Sequence, residues 1–181
     1  MEAASGLIHE QGVPTLRVEE VAAQAGLSVG TFYLYFDGKD DLFAQLVIEY
    51  TERLRERMRA VYAGPGSLTE RMERSLHTYL EFVAENEKGF LYFRDAGTIQ
   101  TRVGRLSSWA FDQHAADLQP LLEEGIGSGE LRGLDARLVA QAVIGQAQHM
   151  AGWWLEHRTE HTREEIAHFL LSLTGLGTRG R

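Results

Sequence analysis

Between Ser28 and Lys39 the chain reads SVGTFYLYFDGK, which gathers two aliphatic hydroxyls, two phenols and one ammonium into a single short segment. Ser28, Thr31, Tyr33, Tyr35 and Lys39 are hydrogen-bond donors with no general base among them, so their chemistry is the binding of anionic oxygen rather than bond breaking. Elsewhere, reactive constellations are missing. There is no GxSxG nucleophile motif, and scattered Ser, His and Asp residues alone do not define a catalytic triad. His157 and His161 are four apart but have no third ligand at suitable spacing, and the chain has no cysteine. No catalytic residue, metal site or cofactor is expected.

The donors need a scaffold, and the flanking residues specify one. Val18, Val21, Ala22 and Ala25 fall at i, i+3, i+4 and i+7, the apolar stripe of a short helix. Gly26 ends it, because a residue without Cβ turns left-handed at little cost. Ser28 then caps a second helix that Phe32 and Phe36, four apart, anchor inward. Val29, Gly30, Thr31, Tyr33, Leu34 and Tyr35 are left facing outward. Gly30 costs about 1 kcal/mol relative to Ala on an exposed helix, which implies that another backbone comes close there, and a DNA strand fits. Two short helices around a glycine turn form the layout of a helix-turn-helix.

The pattern AxxAGLSxGTFYxYFxxKxxLF, from Ala22 to Phe43, resembles the DNA-binding signature of the tetracycline-repressor (TetR) family. That resemblance implies an all-α homodimer: an N-terminal three-helix head, residues 1–45, binds a double-stranded DNA operator. A larger helical domain, residues 46–181, binds a small effector and dimerises. By position, Ser28, Gly30, Thr31, Tyr33 and Tyr35 would face DNA and Lys39 would meet a phosphate, with Arg17 as the head's other cation. Thr31 and Tyr33 would donate O–H to phosphate oxygens, setting orientation without reading sequence. Val29 and Leu34 depart from the family's usual residues. Their apolar side chains either touch thymine methyls in the major groove or pack on the protein.

Charge argues against this assignment. The chain has 18 basic and 26 acidic residues, a net −8, and its first 45 residues hold Arg17 and Lys39 against seven carboxylates. A basic footprint is the usual mark of a nucleic-acid binder, so weak nonspecific binding is expected. Residues 1 to 12 resemble the second half of the family's first helix, which implies a truncated helix and a cation-bearing segment ahead of Met1. The competing reading is a helical ligand-binding or adaptor protein without DNA binding.

The remaining sequence is helical in pattern. A helix from about Lys39 to Ala63 buries Leu42, Phe43, Leu46, Val47, Tyr50 and Leu54, and its ERLRERMR run reads as a solvated charged face. Ser67 with Glu70 forms a capping box. FLYFRDAG is a short aromatic helix or turn. A long helix follows from about Ile99 to Gly125, which Pro120 should kink or restart, and GIGSGELRGLD reads as a loop. Asp135 caps the eighth helix and Thr162 with Glu165 the ninth, where Ile166, Phe169, Leu170 and Leu173 form a stripe. The eighth is rich in Ala and Gly, so a partner can approach closely, and the resemblance implies a homodimer through helices eight and nine. Tyr79, Phe82, Phe93 and Trp109, with Gln113, Gln146 and His149 as polar anchors, are candidates for a pocket taking a hydrophobic or aromatic effector. No apolar run approaches the roughly 20 residues of a membrane span, and length and composition agree with a cytoplasmic regulator.

Overall fold

The computed structural model describes residues 2–11, 16–96 and 102–175, and every regular element among them is an α-helix. The order is α1 (Glu2–Gln11), α2 (Val18–Gln24), α3 (Val29–Tyr35), α4 (Lys39–Tyr62), α5 (Leu68–Glu85), α6 (Glu87–Ala96), α7 (Arg102–Ser128), α8 (Ala136–Glu156) and α9 (Arg163–Leu173). The all-α expectation holds. Two compact units share the chain: Met1–Glu52 with Asn86–Trp109, and Arg53–Glu85 with Ala110–Arg181. Helix α4 is continuous across the point where the first gives way to the second.

In the first unit, Ala4, Leu16, Val21, Ala22, Phe32, Leu42, Phe43, Leu46 and Val47 form one buried cluster, with Leu106 of α7 packed against it. The turn between α2 and α3 follows from Gly26, whose φ of 69° lets the Leu27 N–H reach back to the Ala22 carbonyl at 2.8 Å. Ser28 then caps α3 by accepting from the Thr31 N–H at 3.0 Å. Ala25, expected on the inner stripe, is instead the exposed C-cap of α2, because the helix stops one residue before it. Gly12, the last residue of the segment that resembles the family's first helix, lies outside the described residues.

In the second unit, α5, α8 and α9 pack on one another. All three expected caps are present. Ser67 and Glu70 bond each other's backbone at 2.8 and 3.3 Å, Asp135 accepts from the Arg137 N–H, and Thr162 with Glu165 completes a capping box. The Trp154 indole N–H donates to the His161 carbonyl at 3.1 Å and ties the α8–α9 turn to α8.

Two expectations are corrected here. Helix α7 runs through Pro120 to Ser128, so the glycine-rich loop begins four residues later than its composition implies. Gly125 is a packing glycine: a Cβ there would lie 2.2 Å from Leu68 Cδ2. The charged run of α4 is not simply solvated either. Arg55 Nε bonds Asp117 Oδ2 at 2.6 Å with both side chains near 10% exposed, and Arg59 adds a second guanidinium at 2.9 Å. Arg57 pairs with Glu85 at 2.9 Å, and Arg53 and Arg57 lie over the ring of Phe82. Arg71 of α5 reaches Glu124 at 2.6 Å and donates to the Tyr62 carbonyl at 3.2 Å. Helical periodicity marks these arginines as polar, but acidic partners 28 to 62 residues away cannot be read from it.

Gly125→Ala is expected to destabilise the protein by about 1–3 kcal/mol through overpacking against Leu68. Gly127→Ala, where a Cβ meets nothing within 4 Å, should be neutral or stabilising by up to about 1 kcal/mol. Urea unfolding separates the two.

Burial would raise the Asp117 carboxyl, but the hydrogen bonds and charges of Arg55 and Arg59 outweigh it and hold the group below the usual carboxylate range. As pH falls the unfolded chain therefore takes up this proton first. The stabilisation is complete above about pH 4 and is lost as pH drops through the lower folded value. Asp117→Asn should flatten the acid limb of stability measured by urea unfolding between pH 3 and 7; an unchanged limb would contradict the assignment.

Candidate nucleic-acid interface and effector region

Helix α3 has only seven residues and is too short to persist alone, so its side chains are placed by what anchors it. The anchor is Phe32, 3% exposed, with its ring 5.0 Å from that of Phe36 and edge-on to Tyr33. With that residue inward, the opposite face displays Tyr33, Leu34 and Tyr35 at 56%, 83% and 72% exposure, with Leu27 and Val29 beside them. Leu34 is therefore not a packing residue. Neither is Val29 buried, which favours the groove-facing reading over the self-packing one for both.

The donors are arranged unequally. The Ser28 and Thr31 hydroxyls lie 2.9 Å apart and half-buried Thr31 is partly occupied by its neighbour, whereas both phenols stand in solvent. Gly30 is exposed, and a Cβ at this position would make only an ordinary contact, 3.7 Å from Ser28 Oγ. The fold itself thus gives no reason for glycine there. Lys39 opens α4 with its ammonium 5.4 Å from the Phe43 ring centroid. Arg17 precedes α2, largely exposed and loosely paired with Glu20 at 4.0 Å. Asp37, Asp40 and Asp41 surround the start of α4, so the face that carries the exposed aromatics is not basic.

The candidate effector residues are distributed over α5, α6, α7 and α8. Tyr79 on α5 is half-buried with its phenol raised by burial, and Phe82 is fully buried beneath the two arginines of α4. Trp109 belongs to the first unit, and the side chain of Phe93 lies outside the described residues. Gln146 and His149 are exposed on α8. Gln113 lines a cleft of about 310 Å³ between α7 and α8, together with Asp112, Ala115, Ala116, Gln119, Arg137 and Gln141. Its lining is two alanines, three amides, a carboxylate and a guanidinium, and Gln141 bonds Asp112 at 3.3 Å. The readable signal is the run Asp112, Ala115, Ala116, Gln119 at i, i+3, i+4 and i+7, which contains no aromatic residue.

Two other features bear on assembly and chemistry. Leu134 and Leu138 near the start of α8, and Phe169 and Leu173 on α9, are large apolar side chains left exposed. The His157 ring stacks on Trp153 at 4.2 Å, with its Nδ1 2.7 Å from the Trp153 carbonyl, and no group of three metal-ligating residues occurs among the described residues. No described helix is long and apolar enough to cross a membrane.

These features agree with comparisons to known proteins. Residues 1–46 match the family model for bacterial regulatory proteins of the tetR family, and residues 68–176 match a tetracyclin repressor-like C-terminal domain. The fatty acid metabolism regulator protein of Bacillus subtilis is 24% identical over 183 residues, spanning 100% of this chain and 94% of that protein. The crystal structure of FadR from Bacillus subtilis in complex with stearoyl-CoA superposes with a TM-score of 0.82 at 25% identity, covering 97% of this chain and 96% of that one. FadR from Bacillus halodurans, a fatty acid degradation regulator, gives 0.81 at 23% identity with coverages of 98% and 96%. A helix-turn-helix head with an outward aromatic face, joined to a helical body matched along most of its length, makes this chain a member of the TetR family of DNA-binding transcriptional regulators.

Proposed function

We propose that the protein is a repressor whose two copies insert α3 into successive major grooves of a pseudo-palindromic operator and withdraw when a fatty acyl-CoA binds the body. The observation that carries the reading is the outward face of α3, where Tyr33, Leu34 and Tyr35 are exposed on a helix seated by Phe32. In this reading residues 1–45 act as the DNA-binding domain and 46–181 as the effector and dimerisation domain. Ser28, Thr31, Tyr33, Tyr35, Arg17 and Lys39 position the backbone, while Val29 and Leu34 touch thymine methyls. Gly30 lets a phosphate strand approach.

Dimerisation through α8 and α9 is supported by the exposed Leu138, Phe169 and Leu173, because an apolar face of this kind is normally covered. The effector class is supported by the stearoyl-CoA held by the Bacillus subtilis FadR. The amide-walled cleft with Arg137 suits a ligand arm that carries amides and phosphate. Release then follows from linkage: an effector that prefers the body conformation with α4 displaced lowers operator affinity by its differential binding to the two states.

Fluorescence anisotropy with a labelled duplex from the DNA flanking its own gene tests this. Nanomolar binding that weakens with salt and with stearoyl-CoA is expected, and equal affinity for all duplexes would overturn it. Lys39→Ala should reduce the salt slope by about one unit, whereas Leu34→Ala should change preference among sequences.

Gly30→Ala distinguishes a DNA-facing glycine from a structural one. It should hold or raise the melting temperature, since Ala favours helix by up to about 1 kcal/mol, while weakening operator binding tenfold or more. A variant that binds DNA normally would remove the close-approach role.

A further inference from the structure

Two of the acidic residues of helix α7, Asp117 and Glu124, are spaced i and i+7, with Pro120 between them. Each is held by an arginine from elsewhere. Arg55 and Arg59 of α4 bond Asp117 at 2.6 and 2.9 Å, with Arg55 and Asp117 almost wholly removed from solvent. Arg71 of α5 bonds Glu124 at 2.6 and 3.1 Å and donates to the carbonyl of Tyr62, the last residue of α4. The body end of α4 is therefore attached at two points to opposite sides of the proline. Proline has no N–H to give the Ala116 carbonyl, so the helix lacks one bond at this turn and bends there at low cost. Ala116 and Gln119, from this same turn, line the α7–α8 cleft.

We propose that Pro120 is the bending point of the effector response and that Asp117 and Glu124 are positioning residues that turn a bend of α7 into a tilt of α4. This rests on the repressor reading above. A bend at Pro120 moves Asp117 relative to Glu124, so Arg55 and Arg59 move relative to the Arg71-held end of α4. Arg55 lies 16 residues along α4 from Lys39, about 24 Å of helix, so a small tilt at the clamp becomes a larger displacement at the DNA end. Arg57, on the same helix, pairs with Glu85 of α5 and not with α7, which makes it the internal control.

The test uses the full chain and stearoyl-CoA as probe, comparing operator affinity with and without it. Wild type should lose affinity by at least about tenfold. Pro120→Ala should melt higher yet lose less than about threefold, a split that a purely structural role would not produce. Arg59→Met should also lose less than about threefold, Arg59→Lys should recover part of the response, and Arg57→Met should match wild type. Full release by both Pro120→Ala and Arg59→Met would overturn the inference.

A second measurement needs neither DNA nor effector. The chain has no cysteines, so nitroxides at Ala60→Cys on α4 and Ala116→Cys on α7 are the only labels, and pulsed electron paramagnetic resonance reads their separation. Arg59→Met should broaden that distance distribution at least twofold while Arg57→Met leaves it unchanged; equal widths would sink the clamp. If wild type binds no operator, the repressor reading fails and the label distances still decide this one.

Discussion

The burial of one aromatic ring decides what the head can present. Helix α3 spans less than two turns of hydrogen-bonded ladder, and nothing in its own sequence would keep it folded or fix its rotation. Phe32 does both, because its ring enters the cluster formed by Val21, Ala22, Leu42 and Phe43. Rotating the helix by one residue, 100°, would pull that ring into water and turn a displayed tyrosine inward. The rotation that leaves two phenols and a leucine facing solvent is thus set by the apolar contact behind them. The surrounding caps refine it: Gly26 sets the entry angle, and Ser28 fixes the first turn while engaging the Thr31 hydroxyl.

Much of this was legible before any coordinates. Local rules read well because they depend on neighbours in the chain: the turn at Gly26, the caps at Ser28, Ser67, Asp135 and Thr162, and the inward pair Phe32 and Phe36 all stand where their spacing puts them. Misread features were those whose partners are far along the chain. Gly125 reads as a loop residue until Leu68 is seen against it, and Arg55 reads as a surface cation until Asp117 is found beside it. The site divides the same way. The outward face of α3 is a property of one helix, whereas the α7–α8 cleft exists only once two helices meet and takes its character from glutamines that periodicity treats as ordinary polar filler.

In the proposed interface, the acidity of the head goes with a surface built from uncharged groups. Tyrosine hydroxyls and a leucine depend on fit at short range, and they are screened by salt far less than lysines and arginines are. Such a surface contributes little attraction at a distance, so discrimination among duplexes has to come from contact. The body uses charge in the opposite manner. Arg55 and Arg71 are turned inward, and the Asp117 carboxylate held by Arg55 and Arg59 fixes the placement of α4 against α7.

Leu106 joins the cluster that seats Phe32, although about 60 residues of chain separate it from the last buried member of that cluster. A ribosome must therefore build α4, α5 and α6 before Leu106 can cover its part of the head's apolar face. Until then the nascent amino-terminal helices carry an open hydrophobic flank, a natural point for chaperone engagement during synthesis. Exchanging heads between relatives by cutting the gene after the helix-turn-helix would leave that flank with a foreign lid.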